Sequence, residues 1–169
     1  MYSFRSGCAV ALAATAFGGA VGLAGQAAGS SMGRCATHDL KITESPSQGA
    51  GGSFLLELSY RNVTRVSCQN RGFPGVTLLG ARHQRLGVGR RVGTKLPRLV
   101  VKPNARVYGF IQYSETPHPP RRCRAVKAAR IVAPNSTESS TVPLPNGSRY
   151  CSTPVLVYPL ARSARVALR

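Results

Sequence analysis

His38-Asp39, His83 and His118, the carboxylates Asp39, Glu44, Glu57, Glu115 and Glu138, and five cysteines are the side chains of this 169-residue chain that could move protons, ligate a metal or attack a substrate. Their arrangement supports no such role. Hydrolytic chemistry needs a nucleophile with a base and an orienting group, or two carboxylates across one bond. The five acids are scattered, His118 lies between Pro117 and Pro119, and His83 sits among arginines, where it reads most simply as solvated. His38 beside Asp39 reads as a local hydrogen bond. The chain is therefore expected to be non-catalytic, and no cofactor is expected. Three histidines, with the cysteines oxidised, leave no ligand set for a metal; His38 near Cys35 keeps a structural zinc only as a runner-up.

The residue type in excess is arginine. Lysine and arginine number 23 against five acids, a formal charge of +18, and only four of the basic residues are lysine. Arg121, Arg122, Arg124, Lys127 and Arg130 crowd around Cys123, Arg90 and Arg91 belong to a second cluster from Arg82 to Lys102, and Arg162, Arg165 and Arg169 form a third. Such density attracts polyanions in a salt-dependent way. The competing reading is compositional: charge runs are commonly solvated faces, and arginine with abundant alanine, glycine and valine follows from a GC-rich genome.

The compartment decides which polyanions are within reach. Arg5 precedes an apolar run, Cys8 to Leu23, followed by small residues at Gly25, Ala27, Ala28 and Gly29, as in an export signal cut near Ala27 or Ala28. The run is rich in alanine and glycine and shorter than the roughly 20 strongly apolar residues of a stable span, which argues against a retained anchor. Cleavage leaves Cys35, Cys68, Cys123 and Cys151, an even set that in an exported chain reads as two disulfides. Three connectivities are open; Cys35 with Cys68 and Cys123 with Cys151 is favoured because it keeps both loops local. The expected organisation is a signal peptide over residues 1–28, one domain over 35–161 and a basic tail over 162–169. Outside the cell, nucleic acid drops out as a partner, and the tyrosines and phenylalanines fall on core strands instead of a stacking platform.

Patterning points to strands. Phe54, Leu56, Leu58 and Tyr60 alternate with Leu55, Glu57, Ser59 and Arg61, the signature of a half-buried strand. Gly72-Phe73-Pro74-Gly75 can continue neither helix nor central strand and makes a corner into Val76 to Leu79. The Gly- and Arg-rich stretch from Arg82 to Lys102 reads as short edge strands and loops. Ala105 to Ser114 is apolar on both faces, as in a strand covered twice. Beyond the prolines at 117, 119 and 120, a strand is expected over Ala128 to Ala133, with a short amphipathic helix as an alternative just before it. A polar hairpin region follows, then a closing strand from Thr153 to Ala161. Regularly spaced short strands without helical periodicity predict an all-β fold, a compact immunoglobulin-like β-sandwich. The sequons at Asn62, Asn135 and Asn146 carry little weight.

The order of "LELSYRN", "SCQNRGFPGVTLL", "LVVKPNARVYGFI", then Cys123, then Cys151 before "PVLVYPL", resembles a secreted actinobacterial family, domain of unknown function 4232. The most specific piece runs from Cys68 to Gly75, ending in the family's Gly-aromatic-Pro-Gly-Val pattern. Asn104 stands where the family usually has glycine; asparagine is the next best tolerated residue at positive φ. The resemblance implies an exported β-sandwich without catalytic residues, often tethered to the envelope. The resulting expectation is a non-catalytic module of the cell envelope that contacts anionic polymers or lipid headgroups through arginines, peripherally at a membrane if at all. The alternative is a module that holds another exported protein by loops or an edge strand.

Overall fold

The computed structural model describes residues 32–50, with backbone alone for 46–50, and residues 53–114, 123–151 and 154–163. The export signal, Arg121, Arg122, His118 and most of the basic tail lie outside the described residues.

Among the described residues every regular element is a strand. The first four are β1 (Leu40–Ala50), β2 (Ser53–Asn62), β3 (Cys68–Asn70) and β4 (Gly75–Leu79). Next come β5 (Arg85–Arg91), β6 (Leu99–Val101), β7 (Arg106–Ser114) and β8 (Arg124–Ala125). The last are β9 (Ala128–Val132), β10 (Ser140–Pro143), β11 (Arg149–Tyr150) and β12 (Val155–Val157). Eight of them form one mixed sheet in the order β1-β2-β7-β12-β5-β4-β9-β10, and β3–β6 and β8–β11 make two short ribbons. The ends of the order, β1 and β10, come alongside each other, so the sheet nearly closes into a barrel. The all-β fold holds, and its two layers are the two arms of one continuous sheet.

β5 joins the arms. Its first part pairs antiparallel with β4, Leu78 opposite Gly87 and Thr77 opposite Val88; its last three residues pair in parallel with β12, Val155 opposite Gly89 and Val157 opposite Arg91. This corrects the expectation of an edge strand in the Arg82–Lys102 stretch. The arginines there stand on the exposed side, and the glycines admit close neighbours where a side chain would not fit. A Cβ on Gly87 would lie 2.8 Å from the Tyr150 ring, and one on Gly89 would lie 2.4 Å from Val157 Cγ2 and 3.2 Å from Val76 Cβ.

Burial follows the alternation read in the sequence. Leu56, Leu58 and Tyr60 of β2 face the core with Val107, Ile111 and Tyr113 of β7, and Val76, Leu78, Ala129, Ile131, Val142, Val155 and Val157 join the same cluster. Phe110, on the other face of β7, is buried too, so that strand is covered twice as expected.

Three expectations need correction. The stretch before Ala128 is extended as β8 and not helical, because Arg124 and Ala125 pair with Tyr150 and Arg149. The polar region after Asn135 makes the turn of a hairpin, but between β9 and β10, while its later part, β11, pairs with β8. The closing strand is only three residues long; Pro159 has no backbone donor to continue the ladder, and the chain then touches β7 again through a single bridge between Ala161 and Tyr108.

Both favoured disulfides are formed, Cys35 with Cys68 and Cys123 with Cys151. The first ties the segment before β1 to β3. The second closes the β8–β11 ribbon, whose Tyr150 lies over Gly87 and meets Tyr113 edge-on at 6.5 Å. Asn62 secures the passage from β2 to β3. It is 0% exposed, its amide nitrogen donates to the Val66 and Val101 carbonyls, and its amide oxygen accepts from the backbone and hydroxyl of Thr64. So enclosed, it is no glycan acceptor. Asn104 takes φ of 60° in the turn before β7, the conformation expected of a glycine substitute.

The crossing strand makes a direct prediction. Gly89→Ala should lose about 1–3 kcal/mol in denaturant unfolding through overpacking against Val157 and Val76. Gly33→Ala, with nothing within 4 Å of the added carbon, should leave stability unchanged.

Candidate functional site

The Gly72–Gly75 corner helps to shape a concavity on the surface. Gly72 has φ of 122°, a conformation that favours glycine, and its carbonyl accepts from Leu160 N at 3.1 Å. Pro74 is buried, which roots the corner in the core. Arg71 precedes the corner, and its Nε donates to the Leu96 carbonyl at 3.2 Å. The Asn135 amide donates to the Arg71 carbonyl at 3.2 Å from a turn with φ of 63°.

The Cys35–Cys68 disulfide supplies the opposite wall. Arg34 pairs in parallel with Gln69; Cys35 N donates to Gln69 O at 3.0 Å and Gln69 N to Gly33 O at 2.9 Å. From β5, Arg91 lies with its guanidinium 5.9 Å from the centre of the Phe73 ring, within cation–π range. Arg98 arrives from the strand-free stretch before β6.

These segments enclose a pocket of about 410 Å³ whose lining includes Arg34, Arg71, Arg91 and Arg98 and no carboxylate. Among the described residues, none of the four arginines is paired with an acid. Guanidinium groups are permanently charged and only donate, so the pocket concentrates positive charge and donors, with the amides of Gln69, Asn70 and Asn135 as its side-chain acceptors. Asn70 is also on the wall, 2% exposed, and neither atom of its side-chain amide has a hydrogen-bond partner.

Among the described residues, the arginines of the basic clusters singled out in the sequence that line this pocket are Arg91 and Arg98, both from the Arg82–Lys102 stretch. Arg90, the neighbour of Arg91 on β5, is exposed as Arg91 is, but lies outside the lining, consistent with strand alternation placing the two on opposite faces. Arg124, Lys127 and Arg130 are exposed on and around β8 and β9 and do not line it. Gly72 and Phe73 of the corner line the pocket, with Pro74 and Gly75 just behind. Arg34, Arg71 and Asn70 line the pocket without having been singled out in the sequence. The signal for two of them was present: a bond from Cys35 to Cys68 must bring Arg34 next to Gln69 and so toward Arg71.

The histidine singled out in the sequence lies elsewhere. His38 Nδ1 is 2.6 Å from Glu138 Oε2 and Nε2 is 3.4 Å from Asp39 Oδ1, with the imidazole 66% exposed. Around it, Thr37 Oγ1 donates to Glu138 O and accepts from Ala133 N, Thr37 N donates to Ser136 Oγ, and Asp39 Oδ2 accepts from Ala36 N. The cluster sutures the segment entering β1 to the turn between β9 and β10. Among the described residues no group of three His, Cys, Asp or Glu is placed to hold a metal ion.

The chain matches the family described as Domain of unknown function (DUF4232) over residues 35–159. It belongs to that family. No curated protein and no solved structure matches the chain. In this DUF4232 domain the matched region begins at the first cysteine of the Cys35–Cys68 staple and runs through all twelve strands.

The suture sets a pH dependence. The hydrogen bond to Glu138, then the charges of Glu138 and Asp39, raise the His38 pKa above 6.5. A raised folded-state pKa stabilises the fold below the unfolded value and ceases to do so as pH rises through the folded one. The contribution of His38 should therefore be full below about pH 6.5 and fade above it. In melting curves taken from pH 5 to 9, His38→Gln should remove that component; an unchanged pH profile would refute the pairing.

Proposed function

We propose that this domain is an exported, non-catalytic binding module of the cell envelope that holds anionic polymers through its arginine-rich surface. The observation that carries the proposal is the pocket with four arginines and no carboxylate in its lining. Ordinary solvated charge does not need to converge; here residues from four separated stretches do, and the repulsion among them is favourable to relieve by an incoming anion. The two disulfides favour an oxidising compartment. Export supports the same setting through the apolar leader, and family membership fits an actinobacterial envelope. There the abundant polyanions are phosphate-bearing or uronic wall polymers and anionic lipid headgroups. Exposed Arg90, Arg124, Lys127 and Arg130, with Arg121 and Arg122 near them in sequence, would extend the contact beyond the pocket along a polymer.

Two readouts on the native material test this. Protein recovered from the envelope fraction should lack its first 27 or 28 residues and show no alkylatable thiol by intact mass. Retention on isolated cell wall should fall at least about tenfold when salt is raised from about 50 to about 300 mM, as screening and counterion release demand. Salt-insensitive retention would instead indicate a loop or edge-strand interface with another exported protein, and the polyanion reading would be wrong.

A further inference from the structure

We infer that the arginine pocket is a discrete site for one phosphate group carried on a hydroxyl-bearing unit, such as a sugar or polyol phosphate, and not merely a patch of diffuse charge. The inference rests on the anion-binding reading above and names its ligand. Arg34, Arg71, Arg91 and Arg98 come from the N-terminal segment, the corner, β5 and the approach to β6, so four different parts of the chain bring arginines to the lining. Guanidinium forks match the oxygens of phosphate in two-pronged hydrogen bonds, and a phosphomonoester near neutral pH carries close to two negative charges where a carboxylate carries one. With no acid in the lining, the more highly charged group is favoured.

Two further features call for more than a bare phosphate. The volume of about 410 Å³ lies within the range of small-molecule sites, about 300–1,000 Å³. The Asn70 amide, on the same wall and without a partner at either atom, can both donate and accept. The arginines can only donate, so they leave a hydroxyl's proton without an acceptor, and Asn70 is the complement a hydroxyl needs. A buried amide left unpaired is costly, and a bound hydroxyl or water would remove that cost.

Two of the guanidinium groups, those of Arg71 and Arg91, have a contact before any ligand arrives, and Arg34 is fixed at its backbone. Arg71 is tethered to the Leu96 carbonyl, Arg91 rests against Phe73, and Arg34 is held by the backbone bridge next to the disulfide. Pre-set donors lose little side-chain entropy on binding, which raises affinity for a ligand of the right shape.

The test is calorimetric titration of the full disulfide-bonded chain with glycerol phosphate, inorganic phosphate and glucuronate at one ionic strength. Glycerol phosphate should bind at least about tenfold more tightly than glucuronate, and Arg91→Gln with Arg98→Gln should weaken it by about tenfold or more, the loss expected for removed charge-assisted hydrogen bonds. Arg65→Gln with Arg82→Gln makes the same charge change at exposed positions outside the pocket and should leave the affinity within about twofold. Asn70→Ala should bring glycerol phosphate closer to inorganic phosphate, and circular dichroism of each variant separates lost binding from lost fold. Equal affinities for the three anions, or equal losses in both arginine pairs, would overturn the site. If cell wall is retained in a salt-dependent way while all three small anions are ignored, the pocket inference fails and the envelope-binding reading stands. If glycerol phosphate binds but no wall polymer does, the pocket stands and that reading falls.

Discussion

The Cys35–Cys68 bond is the constraint from which the arginine pocket follows. It closes a loop of 33 residues, worth about 3–4 kcal/mol in the loop-entropy account, and it fixes the segment before β1 alongside β3. That pairing sets Arg34 beside Gln69. From β3 the chain turns directly into the Gly72 corner, whose carbonyl is held by Leu160 and whose preceding carbonyl is held by Asn135. Asn62 secures the entry to the same ribbon from the β2 side. Together these contacts bring arginines that are far apart in the chain around one concavity.

What distinguishes the pocket electrostatically is the kind of support its arginines receive. Arg71 is satisfied by a neutral carbonyl and Arg91 by an aromatic face, so neither charge is cancelled. Two of the chain's five carboxylates are spent instead on the suture around His38, where they close the seam between the ends of the sheet. A fold that merely tolerated a high arginine content would more simply set such groups apart in solvent, or beside acids. Here the acids near the seam act on stability and the arginines near the corner remain uncompensated.

Much of the fold was readable because it follows short-range rules. The alternation from Ser53 to Arg61, the doubly apolar run from Ala105 to Ser114, the proline-glycine corner and the local pairing of cysteines each depend on residues close in sequence. β5 was misjudged because its arginines and glycines have the composition of an edge, whereas its central place depends on Val157, Tyr150 and Val76 packing over bare backbone. β1 was not anticipated, since after Leu40 and Ile42 its residues become polar. The basic run around Cys123 drew attention because it is dense along the chain. Of the pocket's arginines, 91 and 98 lie in a basic run that the sequence also shows, whereas 34 and 71 join them only in space, through the disulfide and the corner.

The most direct test of this account is the melting temperature of the oxidised domain in phosphate against chloride at matched ionic strength. A ligand that binds only the folded state raises its stability in a saturable, logarithmic manner, whereas screening of repulsion depends on ionic strength alone. The account predicts a saturable rise in phosphate beyond that in chloride, abolished when Arg91 and Arg98 are replaced by glutamine. Identical melting curves in the two salts would contradict it.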